Sequence, residues 1–198
     1  MLTFSSEEIL ETIRMVEMEG LDIRAVTLSV NTLDCADGDI EVMKRKLFEK
    51  VVRTGAKLVE ICDGIGRRYG IPIVNRRAAI TPVSLVAAAT GAKDYVPIAV
   101  EMDRAARETG VDFIGGFSAL AHGRMTPPHE ILINSIPRAL AETELVMSFV
   151  NVATTRSGIN MDAVARMGHV VKETARLTAD RQSAGCGKLA VFTNLPED

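Results

Sequence analysis

Short apolar segments alternate with longer amphipathic ones along this chain, and this alternation constrains its fold more than any other feature. The apolar segments have the length of β-strands, and the intervals repeat apolar residues at helical spacing. The dipeptide Asn-Gly, the strongest signal of a tight antiparallel hairpin, is absent. Strands joined by helix-length crossovers pair in parallel. The sequence therefore predicts an α/β fold with a parallel sheet covered by helices.

Five strands and the helices between them can be placed from these patterns. The predicted strands are Ile23–Val30, Ile71–Val74, Val111–Ile114, Leu145–Ala153 and Leu189–Thr193. Helices are predicted after a capping box at Ser5–Glu8, over Ile40–Val51 and Leu58–Arg68, between Asp94 and Gly110, and after Asn160. No linker or repeat interrupts the alternation, so we expect residues 1–198 to form a single α/β domain.

Composition and charge exclude several classes of protein. Hydrophobic residues make up 47% of the chain but aromatic residues only 4%, which predicts an aliphatic core. The net charge is −3 and the basic residues are scattered, which argues against nucleic-acid binding. No apolar run is long enough to span a membrane, and no secretory signal pattern precedes the first helix. Cys35, Cys62 and Cys186 form no C-x-x-C pair and suit a reducing compartment, so we expect a cytoplasmic protein.

The run from Ile131 to Asp162 reads as a helix, a long apolar strand, a polar turn and the start of another helix. Together with other segments, this run resembles the uncharacterised pyruvate-formate-lyase-like family. The segments that carry the resemblance are Ile131–Val146, Phe149–Val164, Gly187–Asn194, Ile71–Val83 and Phe113–Gly123.

The resemblance implies the N-terminal half of a longer protein. Its fold would be one parallel five-stranded half of a ten-stranded α/β barrel like that of glycyl-radical enzymes. Radical chemistry is not implied, because no adjacent cysteine pair and no counterpart of the radical loop occur here. The chain stops at Pro196–Asp198, shortly after its fifth predicted strand, and an uncovered parallel sheet favours association. We therefore expect a homo-oligomer or association with a second half-barrel.

The polar turn after the fourth predicted strand is the strongest candidate site. Arg156 lies near a predicted helix N-terminus, where free N–H groups and the helix dipole favour a carboxylate or phosphate. The alternative is that Asn160 and Ser157 only cap the helix and Arg156 pairs with a surface acid such as Asp162. The ligand-binding residues proposed in this stretch are Asn151, Thr154, Arg156, Gly158 and Asn160.

Two further groups follow predicted strands. Gly115, Gly116 and Ser118 could let the backbone approach a ligand, with His122 as a base for Ser118, although a simple turn is the favoured reading. Asn75, Arg76 and Arg77 follow the predicted strand Ile71–Val74 and could add positive charge to the same end of the sheet, although exposed arginines usually make weak surface pairs.

These groups, with Asn31 and Asn194, share one expected position. All of them would lie at the carboxyl ends of parallel strands, where α/β proteins bind ligands, so the sequence predicts a site for a small anionic metabolite. Neither a metal motif nor a cofactor is identified, and no catalytic residue is assigned. The titratable candidates are Asp34, Cys35, His122 and Cys186. An enzyme, a non-catalytic metabolite-binding or regulatory protein, and a structural half-barrel that associates with another chain all remain open.

Overall fold

A computed structural model describes residues 5–20, 22–123 and 125–193, and this region has an α/β fold. Its strands are β1 (Val26–Val30), β2 (Arg76–Ile80), β3 (Phe113–Leu120), β4 (Val146–Asn151), β5 (Ala153–Thr154), β6 (Gly158–Ile159) and β7 (Leu189–Phe192). Its α-helices are α1 (Ser6–Ile13), α2 (Ile40–Gly55), α3 (Leu58–Tyr69), α4 (Val83–Val86), α5 (Val96–Thr109), α6 (Pro127–Glu142) and α7 (Met161–Leu177).

Within the described ranges, five of the strands form one parallel sheet in the order β1-β2-β3-β4-β7. The prediction of a five-stranded parallel sheet flanked by helices is therefore confirmed. The two short strands β5 and β6 pair with each other as a separate antiparallel hairpin just beyond the carboxyl end of β4.

The order of the strands in the sheet follows their order in the chain. Because parallel crossovers are right-handed, strands added successively in one direction place their helices on the same side of the sheet. The exposure of the side chains agrees. Val30, Ala78, Ile114 and Val146 are buried against the helices, whereas the alternate positions toward the amino ends of the strands stay half-buried or exposed. Further along the second side, Ser118 and Asn151 are buried. We call this second side the open face, defined by Thr27, Arg77, Ala79, Phe113, Gly115, Met147, Phe149 and Ala190.

The core lies between the helices and the inner side of the sheet and is mainly aliphatic, as the composition predicts. Its largest fully buried aliphatic side chains include Met43 and Leu47 of α2, Met102 of α5, and Ile136 and Leu140 of α6. Burying each such side chain contributes about 1.5–3 kcal/mol.

Local capping signals in the sequence are confirmed. Ser5 and Glu8 form the predicted capping box at the start of α1. Gly110 ends α5 in the left-handed conformation. Asn160 caps α7, with its side-chain oxygen accepting from the backbone N–H of Ala163 at 3.1 Å.

The second predicted strand, Ile71–Val74, is wrong. That segment contributes one isolated bridge between Ile23 and Ile73, and β2 begins later, at Arg76. Asp112 starts the strand there, because its side chain accepts from the backbone N–H of Arg76 at 2.7 Å and its own N–H donates to the Arg76 carbonyl at 2.8 Å. The dipeptide Arg76-Arg77 gives β2 a polar start that the hydrophobic pattern could not identify.

The third strand also differs from its prediction. Val111–Ile114 was expected to end at two glycines, but β3 runs through both of them to Leu120. The pairing with β4 shifts by one residue between Gly115 and Phe117, so Gly116 forms a β-bulge inside the strand.

Candidate functional site

The carboxyl end of β4 carries two asparagines that tie neighbouring loops together. Asn151 is fully buried, and its side-chain oxygen accepts from the N–H of Ala153 at 3.1 Å. The Nδ2 of Asn160 donates to the carbonyls of Ala121 at 2.8 Å and Gly123 at 3.0 Å. Both side chains therefore fix the loop after β3 against the hairpin.

Arg156 lies in the turn between β5 and β6, with an exposed side chain. It makes no hydrogen bond or ion pair with any residue that the structure describes, so the alternative of a pair with Asp162 is not observed. The side-chain hydroxyls of Thr154 and Ser157 form a hydrogen bond with each other, with 2.6 Å between their oxygen atoms. Gly158 has a φ of +71°, a backbone conformation that glycine adopts more readily than other residues.

Ser118 and its glycines lie inside β3 rather than after it, so the interpretation as a loop is wrong. The Ser118 side chain is fully buried, and its hydroxyl donates to the Gly116 carbonyl at 3.1 Å. His122 contacts the amide of Asn151 instead, with 3.4 Å between Nδ1 and Nδ2. This geometry does not bring a nucleophile and a base together.

Asn75 precedes β2 and Arg76 is its first residue, so both lie at the amino edge of the sheet, opposite the predicted position. The Arg76 guanidinium forms ion pairs with Asp63 at 3.3 Å and Asp112 at 3.1 Å. Asn75 donates to the backbone carbonyl of Arg24 at 3.1 Å. Both side chains are engaged in holding the start of the strand. Asn194, also predicted at the carboxyl edge, lies outside the described residues.

The thiols of Cys35 and Cys62 have environments that disfavour the reactive thiolate. Burial raises the pKa of the Cys35 thiol, and the neighbouring charge of Asp34 raises it further. Burial also raises the pKa of Cys62. Asp34 itself pairs with Lys50, and this hydrogen bond lowers the pKa of its carboxyl group. Cys186 donates to the carbonyl of Val171 at 3.5 Å.

Two hydroxyls that the sequence did not single out lie beyond the carboxyl ends of β1 and β2. Thr32 and Ser84 are almost completely buried, with exposed fractions of 0% and 1%. The side-chain oxygens of both lack a hydrogen-bond partner in the described chain. Nearby, Thr81 accepts from the backbone N–H of Thr32 at 3.0 Å. Buried polar groups are normally satisfied, so these two hydroxyls mark this edge as a place where a polar ligand could bind.

The open face contains a depression that the sequence does not predict. The depression has a volume of about 320 Å³ and is lined mostly by apolar side chains and by Arg77. The Nε of Arg77 is buried and has no hydrogen-bond partner among the described residues. Because Arg77 was placed in a loop by the misassigned strand, no signal in the sequence assigned it to a sheet face.

In the described ranges, no three His, Cys, Asp or Glu side chains are grouped so that they could hold a metal ion. No helix in the same ranges combines the length and hydropathy needed to cross a bilayer.

The fold and its candidate sites define a class: an α/β protein with a parallel sheet wound in one direction, helices on one side, and an open face on the other. The chain belongs to the family of uncharacterised proteins described as Uncharacterised ACR (DUF711), whose sequence profile matches residues 14–198.

Similar proteins carry the name UPF0210 protein. The chain is 54% identical to one from Halothermothrix orenii over 191 residues, covering 96% of this chain and 42% of the relative. It is 54% identical to one from Desulforamulus reducens over 195 residues, covering 98% and 43%. It is 53% identical to one from Listeria innocua over 193 residues, again covering 98% and 43%. The chain thus spans less than half the length of these relatives.

The family assignment corrects the resemblance predicted from the sequence. The matching family is DUF711, and neither its description nor the names of the relatives refer to pyruvate formate-lyase. The identification as a pyruvate-formate-lyase-like protein is therefore wrong.

Proposed function

We propose that this region is one half of a larger α/β core that binds a small metabolite, and that its open face packs against the remainder of the longer family chain. The observation that carries the proposal is the one-sided sheet. Phe113, Met147 and Phe149 on the open face are only half-buried. A parallel sheet is normally covered on both faces, and apolar patches of this kind mark interfaces.

The lengths of the relatives favour the remainder of the longer family chain as the occupant of the open face. More than half of each relative lies outside the matched region, since the match covers only 42% or 43% of its length. The simplest larger core is a closed ten-stranded barrel in which the remainder supplies the other five strands. A second copy of this chain is the alternative occupant.

The free state of Cys35, Cys62 and Cys186 supports a reducing, cytoplasmic location for this protein.

Thiol labelling can test the cover on the open face. In the full-length relative from Listeria innocua, a cysteine introduced at the position aligned with Phe149 should be protected from a thiol reagent. A cysteine aligned with Val100, which is 45% exposed on α5, should react freely. In this 198-residue chain, with Cys186→Ser removing the partly exposed thiol, Phe149→Cys should react if the chain is monomeric.

Native mass spectrometry of the same samples separates the two occupants. A monomeric relative with a protected cysteine supports cover by its own remainder. Protection that disappears when an oligomer dissociates identifies a second copy instead. Fast labelling at the position of Phe149 in the intact relative would overturn the proposal.

A second candidate function, binding of a small anion at the carboxyl edge, is favoured by the unpaired state of Arg156. The buried hydroxyls of Thr32 and Ser84 lie beyond the carboxyl ends of neighbouring strands and support a ligand there. No described carboxylate or thiol is hydrogen-bonded to Arg156, which favours binding over catalysis.

The Arg156→Ala variant tests this second candidate. It should lose most of the thermal stabilisation that phosphate or a small dicarboxylate gives the parent chain, because the guanidinium is the only cation in the hairpin turn. Differential scanning fluorimetry at constant ionic strength measures the effect, with Arg166→Ala on α7 as a control. Equal stabilisation of Arg156→Ala and the parent by every anion would show that the site is misplaced.

A further inference from the structure

The depression on the open face lies across all five strands of the parallel sheet, near their amino ends. In the register of the sheet, Thr27, Arg77 and Phe113 are paired in one row, and Ala79 and Gly115 in the row two residues further along. The wall on the next strand is formed by Met147. The volume of about 320 Å³ is sufficient for a small metabolite.

Two cationic side chains, Arg77 and Lys188, line the depression. Lys188 donates to the backbone carbonyls of Leu140 at 2.8 Å and Thr143 at 2.5 Å, whereas Arg77 has no such acceptor.

The guanidinium carbon of Arg77 lies 5.7 Å from the centroid of the Phe113 ring, a cation–π contact. It makes no hydrogen bond or ion pair with the described residues, and its Nε is buried without an acceptor. The preceding Arg76 shows the opposite arrangement, since Asp63 and Asp112 both pair with it.

An unpaired guanidinium on an apolar face is unfavourable once that face is covered. Removing a charge from water is strongly disfavoured unless a counter-charge and hydrogen bonds replace the water. The cation–π contact with Phe113 offsets only part of this desolvation cost and leaves the N–H donors of Arg77 without acceptors. Carboxylates and phosphates match the planar fork of arginine and can accept two parallel hydrogen bonds.

We propose that Arg77 is the anchor of an anion-binding site on the open face, which takes a small carboxylate or phosphate ester. The anionic group accepts from the guanidinium, with the Thr27 hydroxyl in the same row as a further donor. The apolar remainder of the ligand lies against Phe113 and Met147. This site is distinct from the one at Arg156, and it rests on the proposed role of the open face as the inside of a larger core.

Titration of the 198-residue chain tests the site directly. The probes are inorganic phosphate and succinate, with sodium chloride adjusted to keep the ionic strength constant. The contact is read from the side-chain Nε–Hε signal of Arg77 in ¹⁵N-labelled protein, assigned by its absence from Arg77→Gln. The affinity is read in every variant from the backbone amide signals of Thr27 and Gly115, which line the depression. We expect saturable shifts of these signals in the parent chain, and binding about tenfold to a hundredfold weaker in Arg77→Gln. Arg77→Lys should lie between the two, because it keeps the charge and loses the fork.

Arg53→Gln is the matched control, because Arg53 is exposed on α2, makes no hydrogen bond or ion pair with the described residues, and lies outside both proposed sites. Affinity that falls in Arg77→Gln and not in Arg53→Gln supports the inference, and an equal fall in both overturns it. The reverse order, or a Nε–Hε signal that responds no more to the probes than to chloride, overturns it. Sedimentation of the same samples reports association separately. A monomer that binds the probes through Arg77 would therefore keep this site even if the cover proposed for the open face fails.

Discussion

The Gly116→Ala variant is expected to lose about 3 kcal/mol or more of its free energy of unfolding. Gly116 has a φ of +117°, a conformation that residues with a side chain rarely adopt. A Cβ atom there would lie 2.7 Å from the backbone carbonyl oxygen of Ile80 and even closer to the Ile80 side chain. Because the clash involves the backbone of β2, the sheet itself would have to move. Thermal unfolding followed by circular dichroism should show Tm lowered by about 6–12 °C.

Gly115→Ala provides a control one residue away in the same strand. A Cβ atom at Gly115 would have its nearest neighbour, the Ala78 carbonyl oxygen, at 3.9 Å, and the φ of Gly115 is not positive. We expect a change within about 1 kcal/mol. Similar losses in the two variants would contradict the assignment of Gly116 to a bulge that only glycine can form.

Gly116 also shows where sequence reasoning stops. Two adjacent glycines after an apolar segment indicate a turn about as well as they indicate a bulge, since both use glycine for its backbone freedom. Only the register between β3 and β4, with its shift at this residue, distinguishes the two. That register depends on contacts between Phe113–Leu120 and a strand more than 25 residues away, which no local pattern contains.

The fold class could be predicted because it depends on periodicity, which is local. The apolar run in β4 and the caps at Ser5, Gly110 and Asn160 can each be recognised from a few neighbouring residues in the sequence. The start of β2 could not be predicted, because it depends on Asp112, which lies 36 residues from Arg76 in the chain.

The candidate site was predictable only in part for the same reason. Asn31 follows β1 and Asn151 is the last residue of β4, so both lie at the carboxyl edge as expected. Arg77 lies inside β2 and not in the loop where the pattern places it, because a shift of a few residues in the bounds of a strand turns loop residues into sheet residues and changes the face on which they lie. Thr32 and Ser84 were missed because an unsatisfied buried hydroxyl is a property of packing and leaves no trace in the sequence.

The carboxylate of Asp103 accepts from backbone N–H groups just before β4, as that of Asp112 does at the start of β2. We expect its removal to have the second large effect on stability. Asp103 lies on α5 with an exposed fraction of 7%. One of its oxygens accepts from the backbone N–H groups of Glu144 at 2.9 Å and Leu145 at 2.7 Å, and the other pairs with Arg107 at 2.9 Å. This side chain therefore joins the helix to the residues that lead into the strand.

Asp103→Ala should destabilise the protein by about 2–4 kcal/mol, because it leaves two partly buried N–H groups without an acceptor. Asp103→Asn should lose less of the free energy of unfolding, because its amide oxygen can still accept both hydrogen bonds. It loses only the charge that faces Arg107. Urea unfolding monitored by circular dichroism measures both values. Glu108→Ala is the control on the same helix, because Glu108 is exposed and makes no hydrogen bond or ion pair with the described residues, so its change should stay within about 0.5 kcal/mol. If Asp103→Ala proved as mild as Glu108→Ala, water would be satisfying the two N–H groups and β4 would not depend on α5 for its start.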